Sequence, residues 1–378
     1  MEFKEEHVAF RRVMRDFADA EIAPHAREWD RSRSFPLEAV AKMGDLGLFG
    51  LPFPEQYGGA ASDFTTLCIA IEELGRVDQS IAITLEAAVG LGINPIAEFG
   101  TASQRDRWLP DLIAGRTLAA FGLTEAGGGS DAGATRTRAD LVDGEWVING
   151  SKAFITNSGT AITSLVTITA RTGHDEVSAI IVPAGTPGFG VEPAYEKMGW
   201  HASDTHGLHF ADCRVPADHL LGVRGAGFGQ FLSTLDDGRI AIAALSVGVL
   251  EACLEETVAY AGNRTSFGKP IGAYQAIAFS IADIEVMTEA ARLLTYKAAW
   301  LKDTGQPYKH AAARAKLYAT ESAVTATRIA TQVFGGAGFL DDTLVARHYR
   351  DAKVLEIGEG TSEMQRLIIA RGLGLPVE

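Results

Sequence analysis

Apolar residues recur at three- and four-residue spacing through the first third of the chain. Phe3, His7, Phe10, Met14 and Phe17 open the pattern, and Phe64 to Arg76 and Ser80 to Gly90 continue it, with Gly and Pro as punctuation. Such spacing places the apolar side chains on one face of a helix. Near Thr117 the pattern changes. Leu141 to Asn149 predicts a hairpin, with Asp143-Gly144 as the two-residue turn that suits the right-handed twist of paired strands. Leu165 to Ala170 and Ala179 to Val182 are rich in β-branched residues and bounded by Gly, Pro and charges, as strands are. Gly207 to Phe210 and Cys213 to Val215 continue in the same style. After Gly229 the helical period returns and persists. In Ile277 to Trp300 the residues Ile277, Ile281, Ile284, Ala291 and Leu294 form one stripe, the mark of a core-facing bundle helix. The chain therefore reads as a multi-domain α+β protein. An N-terminal helical domain is expected over 1–115, a middle β domain over 116–222 and a C-terminal helical bundle domain over 223–378.

Composition narrows the function classes. With 378 residues the chain is long enough for two or three cores, and 47% hydrophobic with 22% charged residues is a soluble globular balance. A formal net charge of -14 argues against a general nucleic-acid or anionic-membrane surface. Cys68, Cys213 and Cys253 are far apart without CxxC spacing, which fits structural burial in a reduced compartment. No uninterrupted apolar run of about 18 residues predicts a membrane span. Glu2, Glu5 and Glu6 open an N-terminus with neither a signal-peptide apolar core nor an acid-poor transit composition, so the expectation is a cytoplasmic bacterial protein.

Two segments carry candidate chemistry. In EIGEGTSEMQR, Glu356 to Arg366, the carboxylate of Glu359 stands between Gly358 and Gly360, and Thr361, Ser362 and Glu363 read as a helix start. The flanking glycines let a flat ligand approach the backbone. On its own, Glu359 is either a general base or a cap. The second segment is FGLTEAGGGSD, Phe121 to Asp131, a Gly run flanked by Thr124, Ser130 and Asp131. It lacks the G-x-G-x-x-G frame of a dinucleotide turn, as does GAGFG at Gly225 to Gly229.

Together these segments resemble the acyl-CoA dehydrogenase family, with its T-E-P-G-x-G-S-D flavin contact and its I-x-E-G-T-S/N-x-I-Q catalytic turn. INGSKAFITN (Ile148 to Asn157), NRTSFGKPI (Asn263 to Ile271) followed by Gln275, and QVFGGAGF (Gln332 to Phe339) match further motifs in the family's order. The resemblance runs from about Phe3 to Leu373. It implies the same three-part plan, with a C-terminal four-helix bundle, and a homotetramer built as a dimer of dimers. The implied reaction is α,β-dehydrogenation of an acyl-CoA thioester. Glu359 removes the α-proton, a hydride leaves the β-carbon for N5 of FAD, and the electrons pass to electron-transfer flavoprotein. The thioester α-proton is a weak acid, so the site has to stabilise enolate charge. The resemblance assigns that task to the ribityl 2′-hydroxyl of FAD and the backbone N–H of Glu359.

The resemblance also assigns the remaining contacts. Phe121, Leu123, Thr124, Gly129 and Ser130 line the flavin, and Ser130 also touches the CoA arm. Phe154, Ile155 and Thr156 fall where the family places Trp-Ile-Thr against the isoalloxazine; Phe154 lacks the indole N–H. Arg264 matches the arginine that binds the FAD pyrophosphate of a neighbouring subunit, as a bidentate guanidinium suits. Phe267 and Gln275 join that cluster, while Gln332, Gly335 and Gly336 meet the cofactor from another subunit. Thr361 and Glu363 complete the cofactor set, and Asp236, Arg239 and Gly360 contact the substrate. Read alone, Asp236 and Arg239 are an i, i+3 surface ion pair.

Several departures matter. Some branches carry the base in the segment matching LDDGR, Leu235 to Arg239, where this chain has Gly238. Gly358 replaces a frequent Tyr, which predicts room for branched or bulky acyl groups, and Ala126 replaces the usual Pro. His201, Asp204, His206 and His209 do not form a metal-ligand set, because strand residues three apart face opposite ways. Ser130 is no nucleophile elbow, since Ala132 stands where that motif needs Gly. Two other readings stay open: a flavin oxidase or monooxygenase on the same fold, and a non-catalytic acyl-CoA-binding assembly factor.

Overall fold

The protein is described by a computed structural model that covers residues 3–377. Helices α1 (Glu5–Phe17), α2 (Ala23–Ser32), α3 (Leu37–Asp45), α4 (Phe64–Val77), α5 (Gln79–Glu86), α6 (Asn94–Phe99) and α7 (Ala102–Ile113) form the first layer. Three of these helices, α4, α5 and α7, start on side chains that satisfy otherwise free N–H groups. Asp63 accepts from Thr66 N at 3.0 Å, buried Asp78 from Ile81 N at 3.0 Å, and Thr101 forms a capping box with Gln104. Between α5 and α6 the helix widens into a π turn, Ala87–Ile93. Within it Gly92 lies where a Cβ would come 2.5 Å from Ala119 O, so the missing side chain lets the turn pack on the first strand. The continuous stretch Gln79–Phe99 is long and apolar enough to cross a membrane, with a mean hydropathy of 1.5 over its most apolar 18 residues, yet 83% of those residues are buried within the fold. The rule of uninterrupted apolar runs passed over this core helix because polar residues interrupt it.

The middle layer is a sheet of β1 (Leu118–Gly122), β2 (Arg138–Val142), β3 (Glu145–Thr156), β4 (Thr163–Arg171), β5 (Val177–Pro183), β6 (Phe189–Ala194), β7 (Thr205–Pro216) and β8 (Leu220–Leu221). The strand order is β6-β7-β3-β2-β4-β5-β8, with β1 parallel to β4. The predicted hairpin is present: Val142 pairs with Glu145, and Asp143 and Gly144 have φ of 52° and 84°, as a type I′ turn requires. Gly207–Phe210 and Cys213–Val215, read as separate strands, are one strand. A bulge between Ile148 and Gly150 and the left-handed Asp212 (φ 49°) interrupt the alternation there. The pattern also missed β6, an edge strand holding Gly190 and Pro193, where neither face is buried.

The last layer contains α8 (Gly227–Asn263), the short hairpin β9 (Thr265–Ser266) and β10 (Lys269–Pro270), α9 (Gln275–Asp303), α10 (Lys309–Phe334), α11 (Leu344–Ala352) and α12 (Ser362–Gly372). The bundle is α8, α9 and α10, with α12 against α10. Of the predicted α9 stripe, Ile284 and Ala291 are buried while Ile277, Ile281 and Leu294 are half-buried. A second stripe, Phe279, Val286, Leu293 and Trp300 at seven-residue intervals, is exposed.

Two joints tie the first layer to the last. Helices α4 and α8 cross where both lack side chains. A Cβ on Gly75 would stand 2.9 Å from Leu245 O, and one on Gly248 2.1 Å from Glu72 O. Beside them, Arg11 of α1 donates to Glu72 at 2.8 Å and to Glu73 at 2.6 Å, and Arg292 of α9 donates to Glu72 at 3.0 Å. Burial alone would raise the Glu72 carboxyl, but the two guanidiniums outweigh it and hold it below the usual carboxylate value.

Gly248→Ala is expected to force the crossing apart and destabilise the fold by about 1–3 kcal/mol. Gly262→Ala in the same helix, where nothing lies within 4 Å, is the control and should be neutral or slightly stabilising. Urea midpoints of the two variants check this.

Candidate active site

The Glu359 turn is built by the helices around it. After the 3-10 turn Lys353–Glu356, Glu359 itself takes a left-handed φ of 52° and Gly360 one of 93°. Thr361 then caps α12 and accepts from Met364 N at 3.3 Å, as the sequence suggested. A non-Gly residue at positive φ is costly and persists only where its surroundings enforce it. Here Lys316 of α10 and the Gln365 amide both donate to Gly360 O, at 2.8 and 2.9 Å. No hydrogen bond among the described residues uses the N–H of Glu359, so that donor is free.

The residue is half-buried, but both carboxyl oxygens are buried and find no donor. Burial raises this carboxyl above its ordinary value, with Lys316 and Arg239 opposing the shift. Lys316 is fully buried, which pushes its ammonium down to about 8. On the facing helix, a Cβ at Gly238 would stand 1.8 Å from Glu359 Oε2. Gly238 therefore leaves the space that the carboxyl fills. Gly358 has only Val354 O near its side-chain position, at 3.5 Å, so the space beside the backbone there is open.

Arg239 and Asp236 form the expected i, i+3 pair, but the surface reading is corrected: Arg239 is buried, and burial also raises the Asp236 carboxyl. Between them Asp237 points elsewhere, accepting from Tyr308 Oη at 2.7 Å and pairing with Lys302 at 2.8 Å.

The two flavin-matching segments come together on the sheet. Phe121, at the end of β1, stacks on Phe231 of α8 with ring centroids 3.9 Å apart. Ala153 N donates to Thr124 O at 2.8 Å, which sets half-buried Leu123 and Thr124 beside Phe154, Ile155 and Thr156. Beneath them lies a buried ion pair, Lys152 Nζ to Glu125 Oε1 at 2.8 Å, with Lys152 also donating to Leu123 O. Burial would raise Glu125, but hydrogen bonds from Lys152 and Thr135 bring it down to about 2. Phe154 has φ 61° and is 66% exposed, while Ile155 is buried and Thr156 half-buried. Gly129 and Ser130 lie exposed beyond the loop. Asn157 (φ 59°) donates to Thr84 O of α5 at 3.1 Å and so fastens this strand to the first layer.

The remaining predicted residues form a separate group on the bundle. Tyr260 stacks on Phe334 at 4.1 Å and bonds its carbonyl, which joins the Arg264–Phe267–Gln275 hairpin to the Gln332–Gly335–Gly336 turn. All six of these residues are exposed, with Phe267 at 95% and φ 48°. Among the described residues no hydrogen bond or ring contact links this group to Thr124 or Phe154. The histidine-rich stretch is separately engaged: His201 with Asp30, His206 with Asp204 and His209 with Glu192.

Comparison with known proteins gives this arrangement a family. Models of the acyl-CoA dehydrogenase N-terminal, middle and C-terminal domains match residues 4–116, 120–213 and 225–374. The chain belongs to the acyl-CoA dehydrogenase family. It is an oxidoreductase acting in acyl-CoA dehydrogenation. Probable acyl-CoA dehydrogenase YngJ of Bacillus subtilis is 47% identical, over 98% of this chain and 99% of its own. The mouse mitochondrial short-chain specific acyl-CoA dehydrogenase is 42% identical over 98% and 90%. The butyryl-CoA dehydrogenase structure from Megasphaera elsdenii superposes with a TM-score of 0.96 at 40% identity, covering 99% of both chains. Two further structures share the fold. A chain solved as electron transferring flavoprotein of Acidaminococcus fermentans has a TM-score of 0.96 at 39% identity, covering 99% of both. A Mycobacterium smegmatis glutaryl-CoA dehydrogenase in complex with FADH2 has 0.94 at 29%, covering 98% and 95%. Family members thus bind flavin.

The donor set fits an acyl-CoA dehydrogenase flavin. Phe154 offers an exposed aromatic face beside the Thr124 and Thr156 hydroxyls, and Arg264 offers an exposed guanidinium. Sequence reasoning did not assign roles to Lys316, Glu86 or the Glu125–Lys152 pair. Lys316, Glu86 and Lys152 are charged residues that the fold buries on a helix or strand, Glu125 is buried in the loop after β1, and no local pattern in the sequence gives away their burial.

Gly238→Ala is expected to displace the Glu359 carboxyl while flavin content stays normal. A misplacement of about 1 Å costs roughly 10²-fold in rate. Stopped-flow flavin reduction by the best acyl-CoA ester, at saturating ester, measures it.

Proposed function

We propose that this chain is a short-chain acyl-CoA dehydrogenase in which Glu359 takes the α-proton of the thioester. The observation that carries the reading is the Glu359 carboxyl: buried, without a donor, raised by burial and held against Gly238 by a left-handed turn. A carboxylate so desolvated is a stronger base than one in water. Its own free N–H stands ready to donate to the thioester oxygen as enolate charge develops. The similarity to butyryl-CoA and short-chain specific enzymes supports a short acyl group.

FAD, when bound, supplies the hydride acceptor. Phe121, Leu123, Thr124, Gly129, Ser130, Phe154, Ile155 and Thr156 would hold it from the sheet, with Thr361 and Glu363 at the start of α12. Arg264, Phe267, Gln275, Gln332, Gly335 and Gly336 would hold it from other copies of the chain. That arrangement makes the enzyme a homo-oligomer, a tetramer in this reading. The 95% exposed Phe267, the 92% exposed Phe339 and the bare Phe279–Val286–Leu293–Trp300 stripe support it, since a lone copy leaves them all in water. Asp236, Arg239, Ser130 and Gly360 would contact the substrate, and electron-transfer flavoprotein would receive the electrons.

Anaerobic addition of acyl-CoA esters to the purified holoenzyme tests the reading. Butyryl-CoA should bleach the flavin fastest, isobutyryl-CoA should also do so because Gly358 leaves room, and octanoyl-CoA should be slow. Glu359→Gln should retain flavin and lose roughly 10²–10⁴-fold in bleaching rate. A Glu359→Gln protein that bleaches like the parent would overturn the assignment, and silence toward isobutyryl-CoA would remove the role given to Gly358.

A further inference from the structure

We propose that Glu86 is a positioning residue of this site, whose carboxyl keeps a proton at neutral pH and donates it in a hydrogen bond to Glu359. The proposal rests on Glu359 being the base. Glu86 ends α5, immediately before the π turn, and is 0% exposed. One oxygen lies 3.1 Å from the side-chain position of Gly90, and the carboxyl reaches Glu359 within hydrogen-bonding distance. Neither oxygen of Glu86 and neither oxygen of Glu359 meets a donor from any other group. An ionised carboxylate only accepts, so two ionised groups here would leave every oxygen without a protein donor and place like charges together out of solvent. A single proton between them removes both penalties.

The surroundings decide which carboxyl keeps it. Lys316 from α10 and Arg239 from α8 both favour the charged form of Glu359, outweighing Asp237 of α8, which is engaged by Tyr308 and Lys302. Among the described residues no cation acts on Glu86; burial, the charge of Glu359 and the hydrogen bond to it all favour its protonated form. The proton therefore stays on Glu86, and Glu359 is the free carboxylate. Without that hydrogen bond, Glu359 would be desolvated with no donor at all, and its own protonation would become easier.

The test compares the wild-type holoenzyme with Glu86→Gln, which keeps an N–H donor but cannot titrate, and Glu86→Leu, which removes donor and proton together. The first readout needs no substrate. The infrared C=O stretch of a protonated buried carboxyl should be present in the wild type at pH 8 and missing from Glu86→Gln. The second is the pH dependence of anaerobic flavin bleaching. Its acid limb should move up by about one pH unit in Glu86→Leu, roughly tenfold in rate along that limb, and stay near wild type in Glu86→Gln. A merely structural role for Glu86 would change rates without moving the limb. An unchanged carboxyl band in Glu86→Gln, or a Glu86→Leu limb that coincides with the wild type, overturns the proposal. If no ester bleaches the wild-type flavin, the dehydrogenase reading fails instead, and the infrared comparison still decides where the proton resides. Should Glu86→Leu not fold, the near-isosteric Gln variant carries the decision.

Discussion

The contact on which the site depends is the backbone-to-backbone crossing of α4 and α8 at Gly75 and Gly248. The helices run antiparallel there, with Gly75 against Leu245 and Gly248 against Glu72. Continuing α4 into α5 leads to Glu86, and following α8 back from Leu245 leads to Gly238. Those positions approach Glu359 from two sides because the crossing brings the helices to contact without intervening side chains. A methyl group at the crossing would have to be accommodated along both helices, since close-packed interiors transmit such shifts. The network of Arg11, Glu72, Glu73 and Arg292 holds the same joint from its polar side.

Charge is buried in two different ways within one molecule. Glu72 and Glu125 are surrounded by donors and cations, and both are held below the usual carboxylate range. Glu86 and Glu359 are raised, and their oxygens lack any donor from elsewhere in the fold. Buried polar groups in native proteins are nearly always satisfied, so four orphan oxygens on two neighbouring carboxyls mark a place where stability has been traded for reactivity. The supporting cation makes the same point. Lys316 spends its hydrogen bond on the carbonyl of Gly360, fixing the turn, and acts on Glu359 only through its charge.

The sequence made much of this legible. The three-layer order followed from hydrophobic period alone, because long amphipathic helices and an Asp-Gly hairpin are local signals. Glu359 and its capped helix were visible for the same reason. Signals that depend on partners far along the chain were not. The edge strand β6 has no buried face to impose alternation, β7 is broken by a bulge, and the π turn after Glu86 depends on Gly92 meeting β1. Arg239 looked like a surface charge because its burial is set by helices distant in sequence. Glu86 showed no sign of its role, since an acidic residue at the end of an apolar helix looks the same whether it faces water or a second carboxyl.

Three residues of the proposed catalytic and cofactor sites share a left-handed backbone for different reasons. Phe154, Phe267 and Glu359 all occupy the left-handed region, which is uncommon for a residue with a side chain. For Glu359 the reason lies within the chain, because Lys316 and Gln365 hold the turn from below. For Phe154 the strand pairing of β3 with β7 is interrupted there, so the ring leaves the sheet and presents its face outward. Phe267 takes its left-handed φ as the first residue of a two-residue turn, followed by Gly268 at 82°, between paired Ser266 and Lys269, and its ring stands in water at the tip of that hairpin. A fully exposed ring at a hairpin tip adds apolar surface that a partner can cover. The partner that would cover Phe267 must bring apolar surface, and in the proposed oligomer the cofactor and a second copy of the chain bring it together. Flavin binding and assembly would then be one equilibrium, in which loss of either weakens the other.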